Sequence, residues 1–320
     1  MKTYDVFNGD ADGVCALIQL RLANPIESTL ITGVKRDIEL VKRVPAAKPV
    51  QVNILDISLD KNRDAVDALL SSGSRVFYVD HHFPGESLPD HDSFTALIDT
   101  QPTTCTSLLV DQYLSGQFHN WAITAAFGDN LNAVAEDLAT KAGLSTVQAE
   151  SLKALGVCIN YNGYGATVED LHFHPADLYR EFAKFEDPLA LIASEPPAWK
   201  ALRAGYEEDM ARGLAAPLLA ESPSSLVVRL PDEPWARRVS GVLGNELANR
   251  NPDNACAIVT AKLDGTYLVS IRAPLNNRTG ADELARRFPT GGGRKAAAGI
   301  NSLPTGQLDE FLNVMTKFWS

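Results

Sequence analysis

The chain has 320 residues, of which 45% are apolar and 22% charged, a composition typical of globular proteins long enough for two domains. Its formal net charge is −11, and this acidity argues against binding of a long nucleic-acid duplex, for which phosphate neutralisation supplies most of the affinity. No run approaches about 18 apolar residues and no signal-peptide pattern begins the chain, so neither a membrane span nor secretion is expected. Four scattered cysteines without a CxxC pair predict reduced, mostly buried thiols in a cytoplasmic protein.

Strand and helix patterns alternate over the first part of the chain. Short apolar runs bounded by turn residues indicate strands, and the stretches between them carry apolar residues at helical spacing. This alternation predicts right-handed crossovers and a mostly parallel five-stranded sheet with helices on both faces, an α/β fold. The predicted strands end near Asn8, cover 29–34, reach Asp56, end at Asp80 and cover 93–98, with helices from Asp12, at 37–44 and at 63–71.

The pattern becomes helical from about 104 to 192, and a further helix at about 198–214 leads into turn-rich sequence. The last part of the chain combines strands with helices, and the Asp-Gly pair at 264–265 predicts a hairpin. We therefore expect a first domain at 1–195, a linker helix and linker at 196–224, and a smaller α+β domain with a mixed sheet at 225–320.

Acidic residues follow several of the predicted strands, at the edge where open α/β sheets present functional groups. An aspartate in this place is often only the N-cap of the next helix, and Asp12 and Asp56 each allow that interpretation. Their recurrence favours a shared site, because like charges in one crevice raise each other's pKa and resist desolvation unless a cation is bound. The set comprises Asp10, Asp12, Asp56, Asp80, His81, His82 and Asp129.

The donor types in this set indicate which metal ion would bind. Carboxylates with one or two imidazoles suit Mn²⁺ or Mg²⁺ better than Zn²⁺. Two such ions about 3.5–4 Å apart generate a hydroxide and hold the attacking and leaving oxygens of a phosphoryl centre. The set therefore predicts a metal site for phosphoryl chemistry.

A glycine cluster near the C-terminus is the second candidate site. Glycines let backbone amides approach a phosphate or a base closely, and the basic pair Arg294 and Lys295 follows directly. A flexible surface turn is the alternative. Arg272, at the end of a predicted strand, is a candidate for bidentate phosphate binding or an ordinary exposed edge residue. The three glycines are Gly291, Gly292 and Gly293.

Taken in their order along the chain, the acidic segments and the glycine cluster resemble the motifs of the DHH phosphoesterase superfamily. The acidic segments at 10–13, 56, 80–82 and 129 resemble its four motifs, and the segment 291–299 resembles the GGGHxxAAG signature of the DHH-associated C-terminal domain. The resemblance covers essentially the whole chain. Compact bacterial members with a similar layout include nano-RNases, cyclic-dinucleotide phosphodiesterases and phosphoadenosine phosphatases, and RecJ-type single-strand exonucleases are larger relatives.

The resemblance implies a site for two Mn²⁺ ions in the cleft between the two domains. It assigns Asp10 to the first ion and Asp12 and Asp129 to the second. Asp56 would bridge the two ions, and His81 would be a further ligand.

The resemblance also implies roles for the remaining candidates. Asp80 would lie in or beside the shell of the first ion, and His82 would face the substrate phosphate, so these two are the catalytic candidates. Arg272, the three glycines and Arg294 would contact the nucleotide.

Three positions depart from the family pattern. Compact members carry a metal-binding histidine four residues before the first motif aspartate, where this chain has Val6. RecJ-type members have an aspartate two residues before it, where this chain has Asn8, which offers a carbonyl oxygen without charge as a further candidate ligand. Arg294 replaces the signature histidine, which keeps a donor and adds a fixed positive charge.

We therefore expect a manganese-dependent phosphodiesterase or phosphatase that acts on short oligonucleotides, dinucleotides, cyclic dinucleotides or phosphoadenosine phosphate. A RecJ-like single-strand exonuclease is a weaker hypothesis, because it needs an electropositive channel with stacking aromatics. A nucleotide-binding sensor with degenerate catalysis stays open because of Val6 and Asn8. The expected partner is the small substrate, with no long duplex and no membrane, and a homodimer is one option for the assembly.

Overall fold

The computed structural model describes every residue from Met1 to Ser320. The chain divides into two compact units, Met1–Ala204 and Gly205–Ser320. The division falls inside a long helix, Pro197–Leu214, and the predicted linker boundaries at 196–224 stay a prediction. None of the helices combines the length and the apolar character that crossing a bilayer requires.

The first unit is built on a five-stranded sheet in which every strand pair is parallel. The strand order is β2-β1-β3-β4-β5, which confirms the predicted parallel sheet. All residues of β1 are buried, as expected for a strand covered on both faces. The strands are β1 (Thr3–Phe7), β2 (Thr29–Ile31), β3 (Gln51–Leu55), β4 (Arg75–Asp80) and β5 (Phe94–Ile98).

Helices complete the first unit. Two of them, α1 and α2, form crossovers between parallel strands, and α1 is buried along most of its length. The helices are α1 (Ala11–Ala23), α2 (Leu59–Ser71), α3 (Thr106–Tyr113), α4 (His119–Gly128), α5 (Asn132–Lys141), α6 (Thr146–Asn162), α7 (Pro175–Phe182), α8 (Pro188–Ser194) and α9 (Pro197–Leu214).

A buried ion pair lies at the centre of the parallel sheet. Asp5 of β1 is fully buried, and Arg21 of α1 donates to both of its oxygens, Nε to Oδ2 at 2.8 Å and Nη2 to Oδ1 at 2.5 Å. The Nδ2 group of Asn53 in β3 and the hydroxyl of Ser28 donate to the same carboxylate at 2.7 and 2.5 Å. The charge is therefore paired and fully hydrogen-bonded, as a buried carboxylate requires.

The second unit contains a six-stranded mixed sheet in the order β10-β11-β9-β8-β7-β6, which confirms the predicted α+β arrangement. Only the β7–β8 pair is parallel. In the core of the second unit, Val269 and Ile271 pack against Leu284, Phe311 and Met315. The elements are β6 (Leu218–Ser222), β7 (Ser225–Leu230), α10 (Pro234–Arg250), β8 (Ala255–Ala261), β9 (Thr266–Arg272), α11 (Ala281–Ala285), β10 (Gly291–Gly293), β11 (Ala297–Pro304) and α12 (Leu308–Phe318).

Several local expectations differ from the structure. The short helix expected at 37–44 is a single 3-10 turn, Leu40–Arg43. The turn-rich stretch after α9 contains β6, a half-exposed strand whose pairing with β7 supplies its order. The helices α7 and α8, each with a proline at its first turn, were not expected as separate elements. None of the four cysteines forms a disulfide and all four are buried, as predicted.

Candidate metal centre

The acidic residues and histidines singled out in the first half of the sequence converge at one edge of the parallel sheet. Asp10 and Asp12 follow β1, Asp56 follows β3, and Asp80 ends β4. Asp129 joins them from the C-terminal end of α4. Ligand atoms within 4.8 Å of one another form two overlapping groups, Asp56 with His81 and His82, and Asp12 with His81 and Asp129.

His81 belongs to both groups and is oriented by a backbone contact. Its Nδ1 lies 3.1 Å from the carbonyl oxygen of Thr104, and because a carbonyl only accepts, Nδ1 carries the proton. Nε2 faces the acidic residues, 3.4 Å from Oδ1 of Asp56 and 3.9 Å from Oδ2 of Asp12. Metal-binding histidines are commonly held in this way, with the second ring nitrogen bound to a carbonyl.

Asp12 is clamped by the start of α3. The backbone amides of Thr106 and Ser107 donate to Oδ2 and Oδ1 of Asp12, both at 2.7 Å. The first amides of this helix are therefore hydrogen-bonded to a side chain distant in sequence. Burial raises the pKa of Asp12, the charge of His81 opposes the rise, and the charges of Asp129 and Asp10 add to it.

Asp56 adopts a left-handed backbone conformation with φ of 59°. Aspartate tolerates this region better than most residues, but the conformation is uncommon outside glycine and is a form of strain found at functional sites. Burial, followed by the charges of Asp10 and Asp12, raises the pKa of Asp56 well above 3.8. The interpretation of Asp56 as a helix cap is wrong, because Ser58 occupies the N-cap position of α2.

Asp80 and His82 form a hydrogen-bonded pair, with Nδ1 of His82 2.7 Å from Oδ1 of Asp80. Burial lowers the pKa of His82, but the hydrogen bond and charge of Asp80 and the charge of Asp56 outweigh burial and raise it above 6.5. The other oxygen of Asp80, Oδ2, is buried and has no hydrogen-bond partner. Asp80 itself is fully buried, whereas the His82 ring is 33% exposed.

These observations fit a divalent cation. A buried carboxylate oxygen without a donor and several mutually repelling carboxylates are costly together in a metal-free crevice. A cation of charge two removes each of these costs, and the mixed oxygen and imidazole donor set suits Mn²⁺ or Mg²⁺.

Lys35, which was not among the residues singled out from the sequence, also lies in this cluster. Its Nζ is 2.5 Å from Oδ2 of Asp10, 3.5 Å from Oδ1 of Asp129 and 3.2 Å from Oδ1 of Asn160. Burial favours the neutral amine, but the charge of Asp10, with Tyr164 and Asp129, outweighs burial and holds the pKa of Lys35 well above 10.5. The available signal was its place just beyond β2, at the edge where the aspartates lie.

Asp10 and Asn8 are both engaged by their neighbours. Oδ1 of Asp10 caps α1 by accepting from the amides of Asp12 and Gly13 at 3.1 and 3.2 Å, while Oδ2 faces Lys35. Nδ2 of Asn8 donates to the carbonyl of Lys35 at 3.3 Å, and its Oδ1 is buried without a partner. Asp10 is therefore both the N-cap of α1 and a member of the acidic cluster.

The candidates in the second unit have different surroundings. The three glycines form β10, which pairs with β11, so the flexible-turn alternative is wrong for them. Arg294 is exposed in the turn after β10. Arg272 lies in an interior strand, and its guanidinium donates to Asn245 at 2.8 Å and Ser270 at 3.0 Å. Arg272 is therefore no edge residue, and its fold contacts already use several of its donors.

Comparison with known proteins adds family information. Residues 222–320 match the model of the DHHA1 domain. No curated protein sequence gives a significant match.

Solved structures of similar fold cover nearly all of the chain. A DHH-domain protein described as a member of a family of ribosomal proteins superposes with a TM-score of 0.64 at 13% identity, covering 99% of this chain and 86% of its own. RecJ from Thermus thermophilus, solved with Mn²⁺, gives 0.64 at 16% identity over 99% of this chain and 52% of its own. PggH from Vibrio cholerae, a pGpG-specific phosphodiesterase, gives 0.58 at 12% identity over 100% and 99%.

Proposed function

Since residues 222–320 form a DHHA1 domain and the chain as a whole has the fold of the DHH superfamily, as its motifs predicted, we propose that it is a metal-dependent phosphodiesterase or phosphatase of short nucleotides. Mn²⁺ is the proposed ion, with Mg²⁺ as the alternative. The observation that carries the proposal is the convergence of Asp12, Asp56, Asp80 and His81 at one sheet edge, with one buried Asp80 oxygen left without a donor.

The residues of the centre divide into holding and proton-handling groups. Asp12, Asp56 and His81 would hold the cation, because oxygens of Asp12 and Asp56 lie 3.9 and 3.4 Å from Nε2 of His81 and the His81 ring is already oriented. A bound divalent cation lowers the pKa of water and neutralises charge on a phosphoryl group. His82, partly exposed and with a pKa raised by Asp80, would give a proton to the leaving oxygen.

A small substrate is proposed for two reasons. The net charge of −11 disfavours a long electropositive channel. The chain spans only about half of the RecJ chain, whereas it matches PggH over the full length of both. A linear dinucleotide such as pGpG is therefore the first substrate to test, and the glycines of β10 with Arg294 are the proposed nucleotide contacts.

One hydrolysis panel tests the proposal. The substrates are a linear dinucleotide, a cyclic dinucleotide, phosphoadenosine phosphate, pyrophosphate and a long single strand, each incubated with Mn²⁺ or with chelator and resolved by chromatography. We expect Mn²⁺-dependent cleavage of one small substrate and none by Asp80→Ala. Full activity of Asp80→Ala, or activity that resists chelation, would overturn the assignment.

A nucleotide-binding sensor is the second candidate, and one observation favours it. Lys35 pairs with Asp10, the residue that the family pattern assigns to a metal ion, while Val6 stands where compact members carry a histidine. Binding of a dinucleotide without turnover of any member of the panel would favour the sensor over the enzyme.

A further inference from the structure

The ammonium group of Lys35 lies at one end of the acidic cluster, where oxygens of Asp10 and Asp129 are 2.5 and 3.5 Å from Nζ. At the other end are Asp56 and His81, whose donor atoms are 3.4 Å apart. Asp129 is also within 4.8 Å of donor atoms of Asp12 and His81, so the two ends are continuous. The cluster thus has a positive charge at one end and carboxylate and imidazole donors at the other.

Lys35 is built into this position from several directions. Its backbone amide donates to the carbonyl of Gly163 at 2.7 Å, and its own carbonyl accepts from Asn8. Nζ lies 5.5 Å from the centre of the Tyr164 ring and donates to Asn160, which is 2% exposed. Both the backbone and the ammonium group of Lys35 are therefore held by neighbouring residues. A surface lysine in a chance contact with a carboxylate usually has a mobile side chain.

The contacts of Asp10 leave little for a metal ion. One oxygen caps α1 and the other is 2.5 Å from the ammonium group. A divalent ion on that second oxygen would lie close to a fixed positive charge, and the two cations would repel each other. The same geometry accounts for Val6 and Asn8. If no metal ion binds at Asp10, position 6 does not need a metal ligand. The side-chain amide of Asn8 donates to the backbone carbonyl of Lys35 instead.

We propose that Lys35 takes the place of one of the two metal ions, so that the centre binds a single divalent ion at Asp56, His81 and Asp12. The inference rests on the proposed function, since it concerns the same centre. In this arrangement the ammonium group supplies the second positive charge that a pair of ions would otherwise supply. Such a charge does not depend on the metal concentration and needs no further ligands.

Metal stoichiometry tests the inference without any assay of activity. The full-length protein is stripped with chelator, titrated with Mn²⁺ alone by calorimetry, and analysed for bound metal after dialysis. We expect about one ion per chain in the wild type and about two in Lys35→Met, whose Asp10 and Asp129 have lost their counter-charge. Lys42→Met, which removes an exposed lysine paired with Glu39, serves as the matched control and is expected to keep one ion.

Electron paramagnetic resonance gives a second readout. A single Mn²⁺ ion retains a resolved hyperfine pattern, whereas two ions about 3.5–4 Å apart couple and broaden it. We expect the resolved pattern for the wild type at saturating Mn²⁺ and the broadened one for Lys35→Met. If Lys35→Met does not fold, two other variants give the test. Asp10→Asn keeps the cap of α1, removes the charge and is expected to retain one bound ion. Asp56→Asn removes a proposed ligand and is expected to bind none.

The outcomes separate this inference from the function on which it rests. Two coupled ions in the wild type would overturn the role of Lys35 and leave the metal-dependent function intact. No bound Mn²⁺ in the wild type would overturn the metal centre itself. One ion in both the wild type and Lys35→Met would show that Lys35 does not exclude the second ion, and the inference would fail.

Discussion

Oδ1 of Asp80 lies 2.7 Å from Nδ1 of His82, two residues further along the chain. Because the carboxylate accepts, Nδ1 carries a proton and the ring is oriented by its own strand end. The ring is only partly exposed, and Asp56 adds a second negative charge 3.8 Å away. The pair therefore favours an imidazolium ion beside the cluster, the form that a general acid requires.

The first prediction concerns this pair. Since Asp80 is the main group that raises the pKa of His82, we expect Asp80→Asn to lower it. In the wild type the imidazolium persists above pH 6.5 and is lost as the pH rises through the raised pKa. In the variant the loss occurs at lower pH, because the hydrogen bond and the charge of Asp80 no longer favour the charged ring. NMR titration of the histidine resonances in the metal-free proteins measures the pKa of His82 in the wild type and in the variant.

His119 is an internal control for the same titration. Its Nδ1 is 2.7 Å from Asp111, and this hydrogen bond raises its pKa independently of the metal centre. We expect the His119 resonance to titrate identically in both proteins. An unchanged pKa of His82 in Asp80→Asn would contradict the assigned role of the hydrogen bond.

The second prediction is that Asp56→Asn stabilises the metal-free protein while it abolishes metal-dependent activity. The folded-state pKa of Asp56 lies well above 3.8, so its contribution to stability is fully present below 3.8 and is lost as the pH rises through the raised pKa. Asparagine tolerates the left-handed backbone and removes the charge. Relief of about 1 kcal/mol would raise Tm by about 2–4 °C, measurable by calorimetry.

Asp67→Asn is the matched control for this measurement. Asp67 is 52% exposed and pairs with Arg63 on the surface of α2, so its replacement should leave Tm within about 1 °C. Saturating Mn²⁺ should stabilise the wild type and the control by mass action but not Asp56→Asn. A lower Tm for metal-free Asp56→Asn would contradict the repulsion between the buried carboxylates.

The third prediction concerns the buried pair Asp5–Arg21. Arg21→Met leaves the Asp5 carboxylate buried without its cation, which should lower the free energy of unfolding by about 3–5 kcal/mol. Adding Asp5→Asn should restore much of the loss, because the uncompensated charge is then gone. Arg63→Met, which breaks an exposed pair, is the control and should cost less than about 1 kcal/mol in denaturant unfolding.

Much of the clustering of side chains at the candidate metal centre was predictable because it depends on a simple rule. Parallel strands place their carboxyl ends at one sheet edge, so aspartates that follow β1, β3 and β4 come together whatever the details of packing. The hairpin at 264–265 was predictable for a similarly local reason, since Asp-Gly sets the turn. Sequence patterns identify such features when the cause lies within a few residues.

The features that were missed depend on contacts distant in sequence. Lys35 lies 94 residues from Asp129, and its place just beyond β2 does not by itself identify this partner. The amides of Thr106 and Ser107 are used by Asp12, which is likewise far away in the chain. The strand β6 is ordered by pairing with β7, although its own sequence indicates a linker. Tertiary contacts decide these cases, and they are not visible in local patterns.

The fourth prediction concerns the contact between α4 and α6. A Cβ atom at Gly156 would lie 2.0 Å from the carbonyl oxygen of Thr124, so Gly156→Ala must push α6 away from α4. Asp129 directly follows this part of α4, and it should move with the helix. We expect a loss of about 2–4 kcal/mol in stability, in the upper range for overpacking, measured by denaturant unfolding. Gly306→Ala, whose Cβ meets open space, should not change the stability.

The fifth prediction separates the structural from the functional glycines of β10. A Cβ at Gly291 would lie 1.8 Å from the carbonyl oxygen of Ala285, whereas one at Gly292 meets nothing within 4 Å. Gly291→Ala should therefore destabilise the second unit by about 1–3 kcal/mol or more. Gly292→Ala should leave Tm unchanged.

If the β10 segment approaches the nucleotide, Gly292→Ala should nevertheless raise KM for the small substrate, because the added methyl group occupies the space that the ligand needs. We expect roughly a tenfold rise, equivalent to about 1.4 kcal/mol, with kcat little affected. Calorimetric titration of the dinucleotide into the metal-loaded protein gives the same comparison without turnover. Unchanged KM and affinity in a fully folded Gly292→Ala would remove β10 from the proposed substrate site, since no structural defect would then mask a role in binding.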